Sequence, residues 1–379
     1  MESSTPSSSA EIDRHLSEKL VGVSFLTACF VVVLHAYQSP LLGAGRATDW
    51  FVLFVGWTLP TFAVPIYFVI SGYLLGIKSV NGVAEGWYGK SVRKRVRTLL
   101  VPYFLWCTVF AVTVVPFTVL GNHLAGRALT GNTCMQEPLL SVWNLFRIYG
   151  GDLNDAPACL PMWYIRNLFL LVLVSPLFLA ITAKRLGAAV YFVVVGTLYF
   201  AQAWLPFSYT QVLETGLSLR GFFFFPLGLF LARHPVPPGA FRRTRAVLPV
   251  LWLVACLAFV ALRLHAGTDW KAAMVLLSKS TAPLGVGAVW VLCDSMPGFR
   301  RLARLPAARN SFFVYACHMG VLFTLMCERS QQLVVTRLHV PLAGVFLLRI
   351  AVPLGVSLVL AEGVRRWCPR AYALLTGGR

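Results

Sequence analysis

Ten apolar stretches, each near the length of a bilayer-spanning helix, recur along this 379-residue chain and constrain it more than any other feature. They run over residues 20–37, 51–77, 99–119, 162–182, 187–204, 217–232, 247–263, 273–293, 310–327 and 342–361. A helix rising 1.5 Å per residue needs about 20 apolar residues to cross a hydrocarbon core of ~30 Å. Only 12% of the chain is charged, against about 25% in a soluble domain. The expected fold class is therefore all-α: a polytopic integral membrane helix bundle of about ten transmembrane helices. Two stretches fit the pattern least well: 217–232 is short, and 51–77 is long and interrupted by Pro60 and Pro65. Proline is tolerated in such helices when neighbouring groups satisfy the carbonyls it frees.

A net charge of +19 would point to nucleic acid in a soluble protein. Here the basic residues cluster in short segments between apolar stretches, which is how cytoplasmic loops look, and nucleic-acid binding is excluded on that ground. With residue 1 in the cytoplasm, the inner segments hold the clusters at 90–97, 242–245, 300–309 and 365–370. The outer segments hold only Arg46, Arg127, Arg147, Lys271, Arg329 and Arg337. The asymmetry puts both termini inside a multi-pass cell-membrane protein, and an even number of spans agrees. The expected domain plan is a disordered cytoplasmic segment 1–19, one membrane domain 20–361 with an outer loop over 120–161, and a cytoplasmic tail 362–379. Glu2, Glu11, Asp13 and Glu18 make the start too acidic for a cleaved signal. No internal repeat suggests a transporter built from repeated halves.

Nine cysteines show no C-x-x-C pattern and no zinc spacing, so no metal is expected. Most lie in apolar helices, where cysteine is a small hydrophobe. Cys134 and Cys159 share the outer loop, where a disulfide could persist and brace that loop.

Polar residues within the spans are the candidate chemistry, because a charge at membrane depth costs roughly 2.5–3.5 kcal/mol on insertion scales. Arg166, Arg220, Arg263, Lys279 and Arg349 qualify, with His35 and His318. Arg263 sits at a helix end and snorkels. Lys279 and Arg349 lie well inside their spans, which points to a polar interior. No acidic residue lies mid-span, so no buried carboxylate pair is available for acid–base work. That leaves His35 as the candidate general base, with a satisfied structural histidine as the alternative.

Five stretches in order carry a family resemblance: LTACFVVVLHA ending at His35–Ala36, PIYFVISGYLLG at 65–76, KRVRTLLVPYFLW at 94–106, MWYIRNLFLLVLVSPLF at 162–178 and NSFFVYACHMG at 310–320. Their order resembles that of the integral membrane acyltransferases known as acyltransferase family 3. The resemblance implies an acyl-CoA donor, no bound cofactor, and a sugar hydroxyl of a cell-envelope polysaccharide or other glycosylated acceptor. It assigns His35 as the catalytic base. Arg166, Lys279, Arg349 or His318 would bind substrate or stabilise developing charge. The basic run Arg93, Lys94, Arg95 and Arg97 would hold the donor's phosphates, or else serves only to set topology.

One departure stands out. The family commonly places an arginine eleven residues before its first-helix histidine, and Ser24 occupies that position here. Lys19 is a candidate replacement, although it lies about 24 Å from His35 along a helix. Ser71 in the Ile-Ser-Gly-Tyr stretch reads as part of a close helix contact rather than as a nucleophile. An exporter or flippase of a glycan or lipid-linked precursor, or a non-catalytic scaffold, are the other function classes.

Overall fold

The computed structural model describes residues 8–37, 43, 45–81, 86–124, 148–150, 157, 159–204, 218–235, 244–265, 270–320 and 339–378. Among these residues the regular structure is helical throughout. Helix α1 (Ser8–Ala36) starts well before residue 20. The expected disordered segment 1–19 is thus helical from Ser8 on, and residues 1–7 lie outside the described part. Tertiary partners account for the earlier start. Glu18 meets Arg304 at 3.3 Å, and Lys19 meets Asp294 at 2.7 Å.

Helix α2 (Arg46–Val52) runs through an irregular stretch into α3 (Ala63–Asn81). The irregularity, a π turn over Leu53–Thr58 and a 3-10 turn over Leu59–Phe62, sits at Pro60. Thr58 Oγ1 donates to the Leu53 carbonyl at 3.0 Å, and Thr61 Oγ1 to the Thr58 carbonyl at 2.8 Å. Hydroxyls therefore stand in where the regular ladder fails. Helix α4 (Trp87–Arg95) turns into α5 (Val101–Leu124), which carries five residues into the segment expected as the outer loop 120–161. Helices α6 (Met162–Leu173) and α7 (Ser175–Ile181) meet at a 61° bend. Pro176 causes it: its ring frees the Val172 carbonyl, which Ser175 Oγ binds at 2.7 Å.

The remaining elements are α8 (Arg185–Ala201), α9 (Leu219–Arg233), α10 (Thr244–His265), α11 (Lys271–Ser295), α12 (Pro297–Arg304), α13 (Ser311–Cys317), α14 (Leu342–Trp367) and α15 (Pro369–Thr376). Among the described residues, six helices are long and apolar enough to span a bilayer, or seven with the bent pair. This is fewer than the ten expected, for reasons of length. Helix α8 has 17 residues and α9 has 15, both short of a full span. Helix α13 ends at Cys317, and residues 321–338 lie outside the described part. The chain is a multi-pass membrane protein on these helices.

Helices α3 and α9 cross in backbone contact. A β-carbon at Gly72 would lie 2.0 Å from the Phe225 carbonyl oxygen, and one at Gly228 would lie 2.1 Å from that of Val69. Small residues permit this approach, and the interhelix dispersion it brings is what holds helices together in lipid. Ser71–Gly72 is thus a close-contact step, as its sequence suggests.

The tail expected at 362–379 is part of the folded body. Helix α14 extends to Trp367, and α15 folds back onto the bundle. The Tyr372 ring stacks on Phe313 at 5.9 Å, its hydroxyl donates to Asn310 Oδ1 at 2.7 Å, and Trp106 Nε1 donates to the Leu375 carbonyl at 2.9 Å. Cys159 is a free thiol, 1% exposed, packed in the same core cluster as Cys107. Cys134, its expected disulfide partner, lies outside the described residues.

Candidate functional site

His35 occupies the last turn of α1, and His318 follows the last residue of α13. The fold brings these two sequence-distant histidines together. Their ring centroids are 5.2 Å apart at an interplanar angle of 37°. His318 is 2% exposed and His35 is half-buried. His318 Nδ1 lies 2.8 Å from the Tyr315 carbonyl oxygen and 3.3 Å from that of Val314. Both neighbours only accept, so Nδ1 carries the proton and Nε2 holds the lone pair. That Nε2 is buried and has no hydrogen-bond partner among the described residues. A buried acceptor left open is costly. It stands here beside a second imidazole, in a place suited to receive a proton.

A cavity of about 810 Å³ opens at the end of the bundle where α15 and the beginning of α1 meet. Leu16, Leu20, Val21, Ile70, Leu74 and Leu168 give it apolar walls, and Arg95, Arg309 and Arg365 give it positive charge. This is the basic end of the molecule. At the far end of the cavity lie Ser24, Tyr67, Tyr164 and Tyr315. Ser24 and His35 share one face of α1, because eleven residues make almost three whole turns, about 16 Å apart along the axis. The cavity therefore ends below the histidine pair, with His318 one turn beyond Tyr315 on the same helix.

Of the basic run Arg93, Lys94, Arg95 and Arg97, only Arg95 lines the cavity, while the other three are exposed. Arg309 and Arg365 were missed as site residues, because their sequence positions mark them only as loop charges. They reach the cavity through separate elements, the turn before α13 and the end of α14. Arg365 is held by Glu362 at 2.6 Å. Tyr372 on α15 was missed because it falls in the segment expected as a cytoplasmic tail.

The other expected residues disperse. Lys279 is 5% exposed and donates to Gln202 Oε1 at 2.8 Å, with its ammonium 4.9 Å from the Tyr199 ring centroid. Pro283 frees the Lys279 carbonyl, which accepts from the Tyr199 hydroxyl at 3.2 Å. These contacts tie Lys279 to α8 and the turn that follows it. Arg349 is fully buried, one turn from Val345 and Phe346, which pack with Ala36 beside His35. Arg349 thus lies on the helix face nearest the histidine end of α1. Arg166 is half-buried and donates to the Gly150 carbonyl. Neither Arg166, Lys279 nor Arg349 lines the cavity.

The family model described as an acyltransferase domain matches residues 24–360. Succinoglycan biosynthesis protein ExoH of Rhizobium meliloti (strain 1021) is 25% identical over 380 residues, covering 97% of this chain and 94% of that protein. No solved structure matches. The family match begins at Ser24 in the cavity wall and runs past both histidines and Arg349, so the chain belongs to the membrane acyltransferase family and is an enzyme that transfers acyl groups.

Proposed function

We propose that the protein is an acyl-CoA-dependent O-acyltransferase that moves an acyl group, acetyl in the simplest case, onto a sugar hydroxyl of an envelope polysaccharide. The observation that carries this reading is the histidine pair itself, with an open Nε2 at His318 beyond a cavity that has arginines at its mouth. The polysaccharide acceptor rests on the relative named for succinoglycan biosynthesis. The basic end faces the cytoplasm by the positive-inside rule, which is the side on which acyl-CoA is made.

In this reading the donor's phosphates sit near Arg95, Arg309 and Arg365, where charge-assisted hydrogen bonds are strongest. Arg95 lines the same cavity as Ser24, the position of the family's usual arginine, and is proposed to provide the positive charge that is missing there. The pantetheine arm lies along the apolar wall and directs the thioester toward the histidines. His35 removes the proton from the sugar hydroxyl as the oxygen attacks the thioester carbonyl carbon. The carbon–sulfur bond breaks as the tetrahedral intermediate collapses. The CoA thiolate then takes the proton from the imidazolium, which leaves an ester, CoA and a neutral pair. Arg349 is the nearest buried cation to this end of α1 and is proposed to stabilise the oxyanion.

The test is acyl transfer per folded molecule for wild type and His35→Ala, with acetyl-CoA and polysaccharide fragments. General-base assistance contributes about 10²–10⁴-fold, so a loss of that size is expected with the protein still inserted and monodisperse. Near-normal turnover in the variant would remove His35 from the chemistry.

A further inference from the structure

We propose that Tyr67, Tyr164 and Tyr315 form a closed aromatic collar between the cavity and the histidine pair, and that this collar restricts the donor to narrow, unbranched acyl groups. The selectivity rests on the acyl-CoA reading above; the collar itself rests on geometry alone. The three rings come from α3, α6 and α13 and sit at the inner end of the cavity. Their centroids are 5.8 Å apart for Tyr67–Tyr164, 6.1 Å for Tyr67–Tyr315 and 6.1 Å for Tyr164–Tyr315. Aromatic rings at such distances are in mutual contact. The triangle they make has no opening for a thioester arm.

Each ring is also held in place. Tyr67 donates to the Ser24 carbonyl at 2.7 Å, and the Tyr164 hydroxyl lies 3.3 Å from Ser71 Oγ. Tyr315 donates to the Pro161 carbonyl. Phe68 backs Tyr164 edge-on at 4.7 Å. Further along α1 and α13, the Thr27 hydroxyl and His318 Nε2 are buried with no partner among the described residues. The collar is joined to the chemistry as well, since the Tyr315 carbonyl fixes the His318 tautomer.

A donor that delivers its carbonyl to His35 must displace at least one ring. An acetyl or propionyl group is no wider than the pantetheine arm behind it, so the opening that admits the arm admits the acyl group. A branched or aryl acyl group is wider and requires a second ring to move, which breaks a second hydrogen bond. The collar thus discriminates by cross-section, and removing one ring relaxes that discrimination.

Two measurements test this. The first is a donor panel of acetyl-, propionyl-, isobutyryl- and benzoyl-CoA, read as kcat/KM ratios in wild type and Tyr164→Ala. Tyr67→Leu replaces Tyr164→Ala if the latter is not recovered folded. The ratio of isobutyryl to acetyl is expected to rise about tenfold in the variant, the order of discrimination that a hydrophobic pocket gives for a small difference in bulk. The second needs no turnover. His318→Cys is labelled by a charged methanethiosulfonate reagent from the basic end, with and without the collar substitution, and the labelled peptide is read by mass spectrometry. Labelling is expected to be about tenfold faster when one ring is gone, by the same comparison of bulk. Equal labelling rates would overturn the collar. Faster labelling with unchanged donor ratios would overturn the selectivity and leave the barrier. A wild type that uses none of the four donors would overturn the acyl-CoA reading, and the labelling result would still decide the collar.

Discussion

The two ends of α1 carry polar groups in opposite conditions. Near its start, Lys19 is 6% exposed, with Asp294 at 2.7 Å and the Trp290 ring centroid at 3.7 Å. Its charge is answered in full by α11. At the other end, His35 faces another imidazole, whose Nε2 is left without a partner. One end is an anchor that ties α1 to α11. The other keeps an acceptor available in a place where burial makes that costly. The difference also removes Lys19 as the stand-in for the arginine missing at Ser24. A cation paired with a carboxylate is held at its own depth, and Ser24 opens instead onto the cavity that Arg95 lines.

The comparison breaks most sharply at His318. If the open Nε2 serves proton transfer, His318→Ala lowers kcat by about 10²-fold with little change in KM for acyl-CoA, toward the lower limit for acid–base assistance. Thermal stability should hold, because only the bonds to the Tyr315 and Val314 carbonyls are lost. At Lys19 the pattern reverses. Lys19→Met leaves Asp294 short of its partner and is expected to cost up to about 1 kcal/mol of stability, since Asp294 is 36% exposed and water screens the lost pair. Turnover per folded molecule stays near that of wild type. Adding Asp294→Leu removes the abandoned charge and should recover part of the loss, since deleting a whole pair is gentler than breaking it. Melting temperatures and single-turnover rates across these variants separate anchor from site. A fall in kcat for Lys19→Met equal to that for His318→Ala would erase the distinction.

Much of the fold was legible because lipid leaves few options. Apolar runs locate helices, but not where they bend: Pro60 and Pro176 interrupt theirs, whereas Pro116, Pro226, Pro249, Pro283 and Pro353 sit inside continuous helices. The histidines were legible one at a time, as polar residues at membrane depth. Their pairing was not, because it depends on how the end of α1 meets the end of α13, 283 residues later. Lys279 and Arg349 were rightly placed in the interior by the cost of a charge in lipid, but that cost does not say which interior. Lys279 answers to Gln202 and Tyr199. Arg309, Arg365 and Tyr372 could not be found from sequence, since only the tertiary fold brings the turn before α13, the end of α14 and α15 to one cavity. The early start of α1 was hidden too: its charged residues read as solvated until their partners on α11 and α12 are known.

The α3–α9 crossing offers a structural counterpart to the two ends of α1. Gly228→Ala puts a methyl group 2.1 Å from the Val69 carbonyl oxygen, and backbone on both helices must shift. Overpacking of this kind costs about 1–3 kcal/mol. Tyr67 and Ser71 lie on α3 beside this crossing and also line the cavity, so the variant should lose donor affinity along with stability. Gly355 on α14 is the control, because a β-carbon there meets nothing within 4 Å. Gly355→Ala should leave both the melting temperature and KM unchanged.

The smallest effect expected is at Arg95, and it sharpens the line between charges that bind and charges that only set topology. Arg93, Lys94 and Arg97 point to solvent, while Arg95 is half-buried and lines the cavity wall. An exposed charge is screened within about 10 Å at ordinary salt and adds little to the binding of any one ligand. A half-buried guanidinium keeps more of its interaction with a phosphate and can engage it through two N–H groups. Arg95→Gln should therefore raise KM for acyl-CoA by a few-fold, corresponding to roughly 1 kcal/mol for a partly solvated charged hydrogen bond, with kcat almost unchanged. Arg93→Gln, of equal charge change and two residues away, should raise it much less. The ratio of the two KM values removes any contribution from net charge or membrane insertion, since both substitutions alter those equally. Salt supplies a second axis: the wild-type KM should rise with ionic strength, and that rise should flatten in Arg95→Gln more than in Arg93→Gln. Indistinguishable KM values for the two variants would mean that the basic run acts as a single topological charge, and the donor's phosphates would then belong to Arg309 and Arg365 alone.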